Sequence, residues 1–296
     1  MAKEPRSIHG KVVAITGGAR GIGKATAEAL SRRGARVAIG DLDADLAAQA
    51  AEGLGTEAIG LELDVTKRES FADFLAQVEE RLGPLDVLVN NAGIMPIGPF
   101  VEEDDATAHR MIDINLHGVI HGMKLALPGM IRRNSGHIVN IASQAGKAGL
   151  PGGATYCATK HAVVGLSEAV YAEVRDAAIE VSCVMPAVVN TELGSGLVDT
   201  RGVRKLEPEE VAEAIVDALE HPKLDVFVPR SAGAIHKVVS LLPRRGREVM
   251  ARALKADQVL AGADATTRAG YEERAARSEP GLEPEAAEDE IKSKSA

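Results

Sequence analysis

Aromatic residues make up only 2% of this 296-residue chain, with no tryptophan, three tyrosines and four phenylalanines. A sizeable core must therefore be built from Ala, Val, Leu and Ile, which the 45% hydrophobic content supplies. Two cysteines, Cys157 and Cys183, are too few for a disulfide framework or a cysteine zinc cluster, which suits a reducing cytoplasm. No apolar run approaches the roughly 18 residues of a membrane span, and residues 1–10 lack the apolar core of a secretory leader. The net charge of −9 argues against nucleic acid, whose binding relies on clustered cations. The expectation is a soluble, cytoplasmic protein without a resident metal.

What is present is a regular alternation. Short β-branched runs at 11–16, 35–40, 57–64, 86–91, 137–143, 180–185 and 225–229 read as strands. Helical patterns lie between them at 21–33, 43–53, 67–82, 103–133, 155–178 and 208–220. Several strands are apolar almost throughout, as in a parallel sheet covered on both faces. The pattern predicts one doubly wound, Rossmann-type α/β domain over residues 1–230, with about seven parallel strands and helices on both faces. Ligands in such folds bind beyond the carboxyl ends of the strands.

After residue 230 the character changes. Residues 231–258 read as an amphipathic, basic helical extension, with Ile235, Val238, Val239 and Leu242 at helical spacing before Arg244, Arg245 and Arg247. Peripheral membrane contact through 232–255 is one use of such a segment. Packing on the domain or on a neighbouring subunit is the preferred reading, because Pro243 interrupts the helix. Residues 259–296 read as an acidic tail without fixed structure.

TGGARGIG, residues 16–23, follows the first strand directly and opens a helix. Its glycines, Gly17, Gly21 and Gly23, are spaced GxxxGxG rather than GxGxxG. The physical demand is similar: backbone N–H groups and a helix N-terminus must approach a pyrophosphate with no Cβ in the way. Asp41 ends the second strand, where a carboxylate can accept hydrogen bonds from the adenosine ribose and repel a 2′-phosphate. NAD(H) is therefore expected. Arg20 in the glycine turn is the counter-signal, since a guanidinium there could meet the phosphate of NADP(H). Ile22, Leu42 and Val65 flank the same cleft. Asp64 either bonds the adenine amino group or caps the following helix.

These residues, with NNAG at 90–93, Asn115, Ser143, YCATK at 156–160 and PAVVNT at 186–191, resemble the short-chain dehydrogenase/reductase family over residues 8–230. Each motif is modest alone; six in order are strong. The resemblance implies a catalytic set of Asn115, Ser143, Tyr156 and Lys160, acting on a secondary alcohol or ketone. Tyr156 and Lys160, at i and i+4, share a helix face, where an ammonium would lower the phenol toward working pH. Ser143 would hold the substrate oxygen, Lys160 the nicotinamide ribose, and Asn115 a water linking Lys160 to solvent. Asn91, Ala92 and Gly93 would approach the cofactor, and Pro186, Val189 and Thr191 the carboxamide. Ala187 departs from the family's usual Pro-Gly pair.

Loops 93–99, 144–153 and 192–206 are the candidate substrate walls, and the first two are largely apolar. A neutral, lipophilic substrate resembling a steroid, retinoid or terpenoid is expected. An NADPH-dependent carbonyl or 3-oxoacyl reductase is the alternative within the enzyme class. A nucleotide-binding sensor or scaffold without catalysis is the alternative outside it. Homodimer or homotetramer formation follows from the resemblance.

Overall fold

A computed structural model describes residues 4–198 and 204–277. Its frame is a parallel sheet of β1 (Val12–Thr16), β2 (Arg36–Asp41), β3 (Ala58–Glu62), β4 (Val87–Asn90), β5 (Gly136–Ile141), β6 (Ile179–Pro186) and β7 (Asp225–Val228). The order β3-β2-β1-β4-β5-β6-β7 reverses direction between β1 and β4, where a doubly wound sheet opens a crevice. The helices are α1 (Gly21–Ser31), α2 (Ala44–Glu52), α3 (Arg68–Leu82), α4 (Asp105–Ile112), α5 (Gly118–Arg133), α6 (Ala154–Val174) and α7 (Pro208–Glu220). Beyond β7 follow α8 (Arg230–Ser240), α9 (Arg244–Ala253) and α10 (Ala265–Arg277).

Alternation along each strand divides the core into two layers. Val13 and Ile15 of β1 join the layer that includes α1 and α7, while Val12 and Ala14 join the one under α3, α5 and α6. Phe71 and Phe74 of α3 meet edge to face at 6.3 Å, half of all the phenylalanines in one contact. Such a pair contributes about 0.5–1.5 kcal/mol beyond the area it buries. Small residues do the rest, consistent with the poverty in aromatics.

A buried polar chain ties the sheet to α6. Asn90 of β4 donates to Asn140 of β5 at 2.8 Å, and Asn140 donates to Ser167 of α6 at 2.9 Å. Ser167 in turn donates to the Val163 carbonyl at 2.7 Å. Each amide buried here needs a partner, so this chain fixes how α6 sits over β4 and β5.

Two expectations change. The helix expected over 103–133 is two helices separated by a wider π turn at Asp113–His117, which carries Asn115. Such turns are frequent at functional sites. The basic extension consists of two helices, α8 and α9, with Pro243 at the N-cap of the second. Their Ile235, Val238, Leu241 and Val249 are exposed. Finally, the tail expected to lack structure from 259 onward contains α10, with Val259, Leu260, Arg268 and Ala275 buried. The composition misleads because Arg268 is satisfied by backbone carbonyls rather than by water. The remainder of that expectation falls on 278–296, outside the described residues. No helix among the described residues is long and apolar enough to cross a membrane.

Candidate active site

At the carboxyl ends of the strands lies one cleft of about 2900 Å³. Gly17, Arg20, Gly21, Ile22, Asp41, Leu42, Asp64, Val65, Asn91, Ala92, Gly93, Ser143, Tyr156, Lys160, Pro186, Val189 and Thr191 all line it. Gly23 and Asn115 stand behind the wall. Gly17 has φ +61°, and a Cβ there would meet Ala92 Cα at 2.8 Å. A Cβ on Gly23 would meet Asn91 Nδ2 at 2.6 Å. That Asn91 amide donates to the carbonyls of Thr16 and Gly17, each at 2.9 Å, and so holds the glycine turn in shape. A helix N-terminus bare of side chains facing a cleft is what a pyrophosphate requires, so these residues fit a dinucleotide.

The acidic residues of the cleft divide by their partners. Asp41 accepts from the backbone N–H of Ala19 at 3.1 Å and of Asp43 at 3.3 Å. Burial raises its pKa, against these bonds and the nearby Arg20. Arg20 itself pairs with Asp43 at 3.2 Å. Asp64 is committed to the following turn: it accepts from Thr66 N–H and Oγ1, at 3.0 and 2.6 Å, and pairs with Lys67. Asp64 thus braces the turn ahead of α3, whose N-cap is Lys67, rather than capping the helix itself.

Ser143 ends the segment after β5, and α6 presents Tyr156 and Lys160 beside it. The Ser143 hydroxyl stands close enough to the Tyr156 phenol to lower its pKa, and it accepts from Ala145 N–H at 3.1 Å. Lys160 Nζ donates to the Ile141 carbonyl at 3.0 Å and stands 5.7 Å from the Tyr156 ring centre. Burial pushes the phenol up to about 12, partly offset by Ser143. Burial also pushes the ammonium down to about 8. Desolvation is the largest cause of both shifts, opposing the charged form of each group.

Family comparison agrees with this geometry. The short chain dehydrogenase profile matches residues 11–202, which is more than half of the chain. The chain belongs to the short-chain dehydrogenase/reductase family. Among curated relatives, 2-(S)-hydroxypropyl-CoM dehydrogenase 3 of Xanthobacter autotrophicus is 38% identical, the match covering 77% of this chain and 96% of the relative. A short-chain dehydrogenase/reductase from Burkholderia phymatum, solved in complex with NAD, superposes with a TM-score of 0.73 at 27% identity, covering 78% of this chain and 93% of that one. An alcohol dehydrogenase from the archaeon Thermococcus sibiricus, complexed with 5-hydroxy-NADP, gives 0.66 at 32% identity, covering 73% and 95%. The protein is thus an oxidoreductase of the kind that acts on CH–OH groups and uses a nicotinamide cofactor.

In this oxidoreductase the Asn115 side chain makes its hydrogen bonds to Ile94 and Thr159, not to Lys160. Its Nδ2 donates to Ile94 O at 2.9 Å and to Thr159 Oγ1 at 3.2 Å, while its Oδ1 accepts from Ile94 N–H at 2.8 Å. With both N–H groups used, it braces the loop after β4. Two features escaped the sequence. The Gln144 amide donates to the Val228 carbonyl at 3.2 Å, tying the loop after β5 to β7. Arg268 and Tyr271 of α10 enter the cleft region, and only the paired glycines at 152–153 hinted that another segment packs there.

Proposed function

We propose that this protein transfers a hydride between NAD(H) and a neutral, lipophilic secondary alcohol or ketone. The observation that carries the reading is the Ser143–Tyr156–Lys160 cluster opening onto a chamber walled by Ile94, Met95, Leu150, Val188, Leu193 and Leu197. When bound, the nicotinamide exchanges the hydride, and its oxidised ring is positively charged. Ser143 holds the substrate oxygen. As the phenolate, favoured beside that positive charge, Tyr156 takes the hydroxyl proton during oxidation, and as the phenol it returns it during reduction. Lys160, anchored to Ile141 O through one donor, has two more for the ribose hydroxyls.

NAD(H) is the favoured cofactor because Asp41 stands at the end of β2 and Arg20 is already paired with Asp43. The neighbour solved with an NADP derivative supports the rival cofactor, NADP(H). The proposed context is a cytoplasmic homodimer or homotetramer associating through α5 and α6.

The test is a screen of lipophilic secondary alcohols with NAD+, followed by absorbance of the reduced cofactor. Tyr156→Phe should lower turnover by about a hundredfold to ten-thousandfold. Retention of most activity by Tyr156→Phe refutes the assignment, and oxidation of small polyols alone refutes the substrate class.

A further inference from the structure

The far wall of the substrate chamber is made by the chain's own C-terminal segment, beyond the residues that match the family profile. Three backbone and side-chain ties dock it. Val198 N–H donates to Val259 O at 3.2 Å, and Asp264 N–H donates to Gly196 O at 2.9 Å. The guanidinium of Arg268, only 1% exposed, donates to the carbonyls of Met95, Leu193 and Ser195, at 2.8, 2.8 and 2.9 Å. Its Nε donates to Glu272 at 2.8 Å. One arginine therefore joins the loop after β4 to the loop after β6, the two loops between which substrate must sit. Glycines accept the close approach: a Cβ on Gly152 would meet Ala261 N at 3.0 Å, and one on Gly196 would meet Asp264 O at 2.9 Å.

Tyr271, one turn along α10 from Arg268, stands in this wall. Its ring lies 4.9 Å from the guanidinium, which fixes the ring plane. Its oxygen accepts the Met95 N–H at 2.7 Å. A phenol accepts and donates at once. Here the accepting side is used, and among the described residues the hydroxyl proton has no acceptor. The residue lines the cleft. The two phenols, Tyr156 and Tyr271, are close enough that charge on Tyr156 disfavours charge on Tyr271. Tyr271 thus stays protonated and remains a donor.

We propose that Tyr271 is a substrate-binding residue whose hydroxyl donates to a second oxygen of the substrate, apart from the one that reacts. This rests on the alcohol-oxidising reading above and narrows it: the preferred substrate is an apolar alcohol carrying an ether, ester or carbonyl oxygen along its chain. The apolar walls supply area without direction. Tyr271 supplies direction, because a buried donor left without an acceptor is penalised and an alcohol lacking that oxygen leaves it so.

The test compares sec-octanol with its ether isosteres, in which the second, third or fourth methylene from the carbinol carbon is replaced by oxygen. Wild-type enzyme should favour one isostere over sec-octanol by about tenfold in kcat/KM. In Tyr271→Phe that ratio should fall to near one, whatever happens to the absolute rates. Packing damage alone, such as the unpaired Met95 N–H, would affect both alcohols alike and leave the ratio unchanged. An unchanged ratio, or loss of both activities together, assigns Tyr271 to the structure of the wall and overturns the proposal. Equal turnover of all the alcohols by wild type overturns it while leaving the alcohol reading intact. Turnover of none refutes the lipophilic-alcohol reading itself, and the proposal with it.

Discussion

Replacing Arg268 by methionine keeps most of the apolar stem and deletes the guanidinium. Three backbone carbonyls and Glu272 then lose their donor. Hydrogen bonds to a charged group contribute about 1.5–3 kcal/mol each, and removing one partner of a buried charged pair costs about 3–5 kcal/mol. The orphaned carbonyls regain water if α10 lifts, so the cost cannot exceed what detaching the segment requires. About 4 kcal/mol is the working figure, equivalent to a roughly thousandfold rise in the open population. Hydrogen exchange read by mass spectrometry reports it locally. Met95, Val198 and Asp264 donate their amides across the docked interface and should lose protection by up to about a thousandfold. Amides of β1, which pair within the sheet, should not change. The assay thus separates local opening from global unfolding. Unchanged protection at all three amides would refute the view that Arg268 holds the cap. Equal loss in β1 would refute the view that the cap opens alone.

Two further outcomes follow from groups already placed. His137 is buried, and its Nε2 must donate to Ser182 at 2.9 Å, since the Ser182 hydroxyl is spent on the Lys223 carbonyl at 2.7 Å. Desolvation pushes its pKa from 6.5 down to about 3, so the unfolded chain takes up the proton first as pH falls. Stability is full above pH 6.5 and should decline by about 5 kcal/mol toward pH 3, a loss that His137→Gln should largely remove in urea titrations. A wild-type midpoint that is flat across this range would show that the imidazole is not held neutral. At the nucleotide end, Asp41→Asn should weaken NADH by about tenfold to a hundredfold in fluorescence titrations and leave NADPH little changed. Tighter binding of NADPH than NADH by wild type would reverse the cofactor assignment.

The sheet was legible because its central strands are buried on both faces, and such strands appear as apolar, β-branched runs between helical patterns. All seven fall where those runs lie. The glycine turn was legible for a related reason: at Gly17 no side chain fits between the turn and Ala92. What sequence could not supply was environment. Tyr156 and Lys160 have the spacing of a mutually charged pair, yet burial moves the phenol to about 12 and the lysine to about 8. Spacing counts neighbours along one helix; desolvation depends on Ile141, Ala145 and the chamber wall, which come from elsewhere in the chain. Asn115 was found as a site residue, but its partners, Ile94 and Thr159, lie on other elements, and they make it a brace.

The glycine-rich loop at 144–153 makes the same point from the opposite direction. Glycine at 152 and 153 reads as conformational freedom facing a substrate. In the structure Gly152 takes a left-handed φ of +84°, and Ala261 and Leu260 press against both positions. A larger residue at either position would push the C-terminal segment off the chamber, so the glycines are the imprint of the turn that leads into α10. The polar look of ATTRAGYEERAAR has the same origin, because its arginine reaches inward to backbone carbonyls and its tyrosine to a backbone amide. Backbone partners leave no trace in composition. A segment that closes a site through main-chain contacts therefore resembles a solvated tail until the loops it covers are read for the residues they lack.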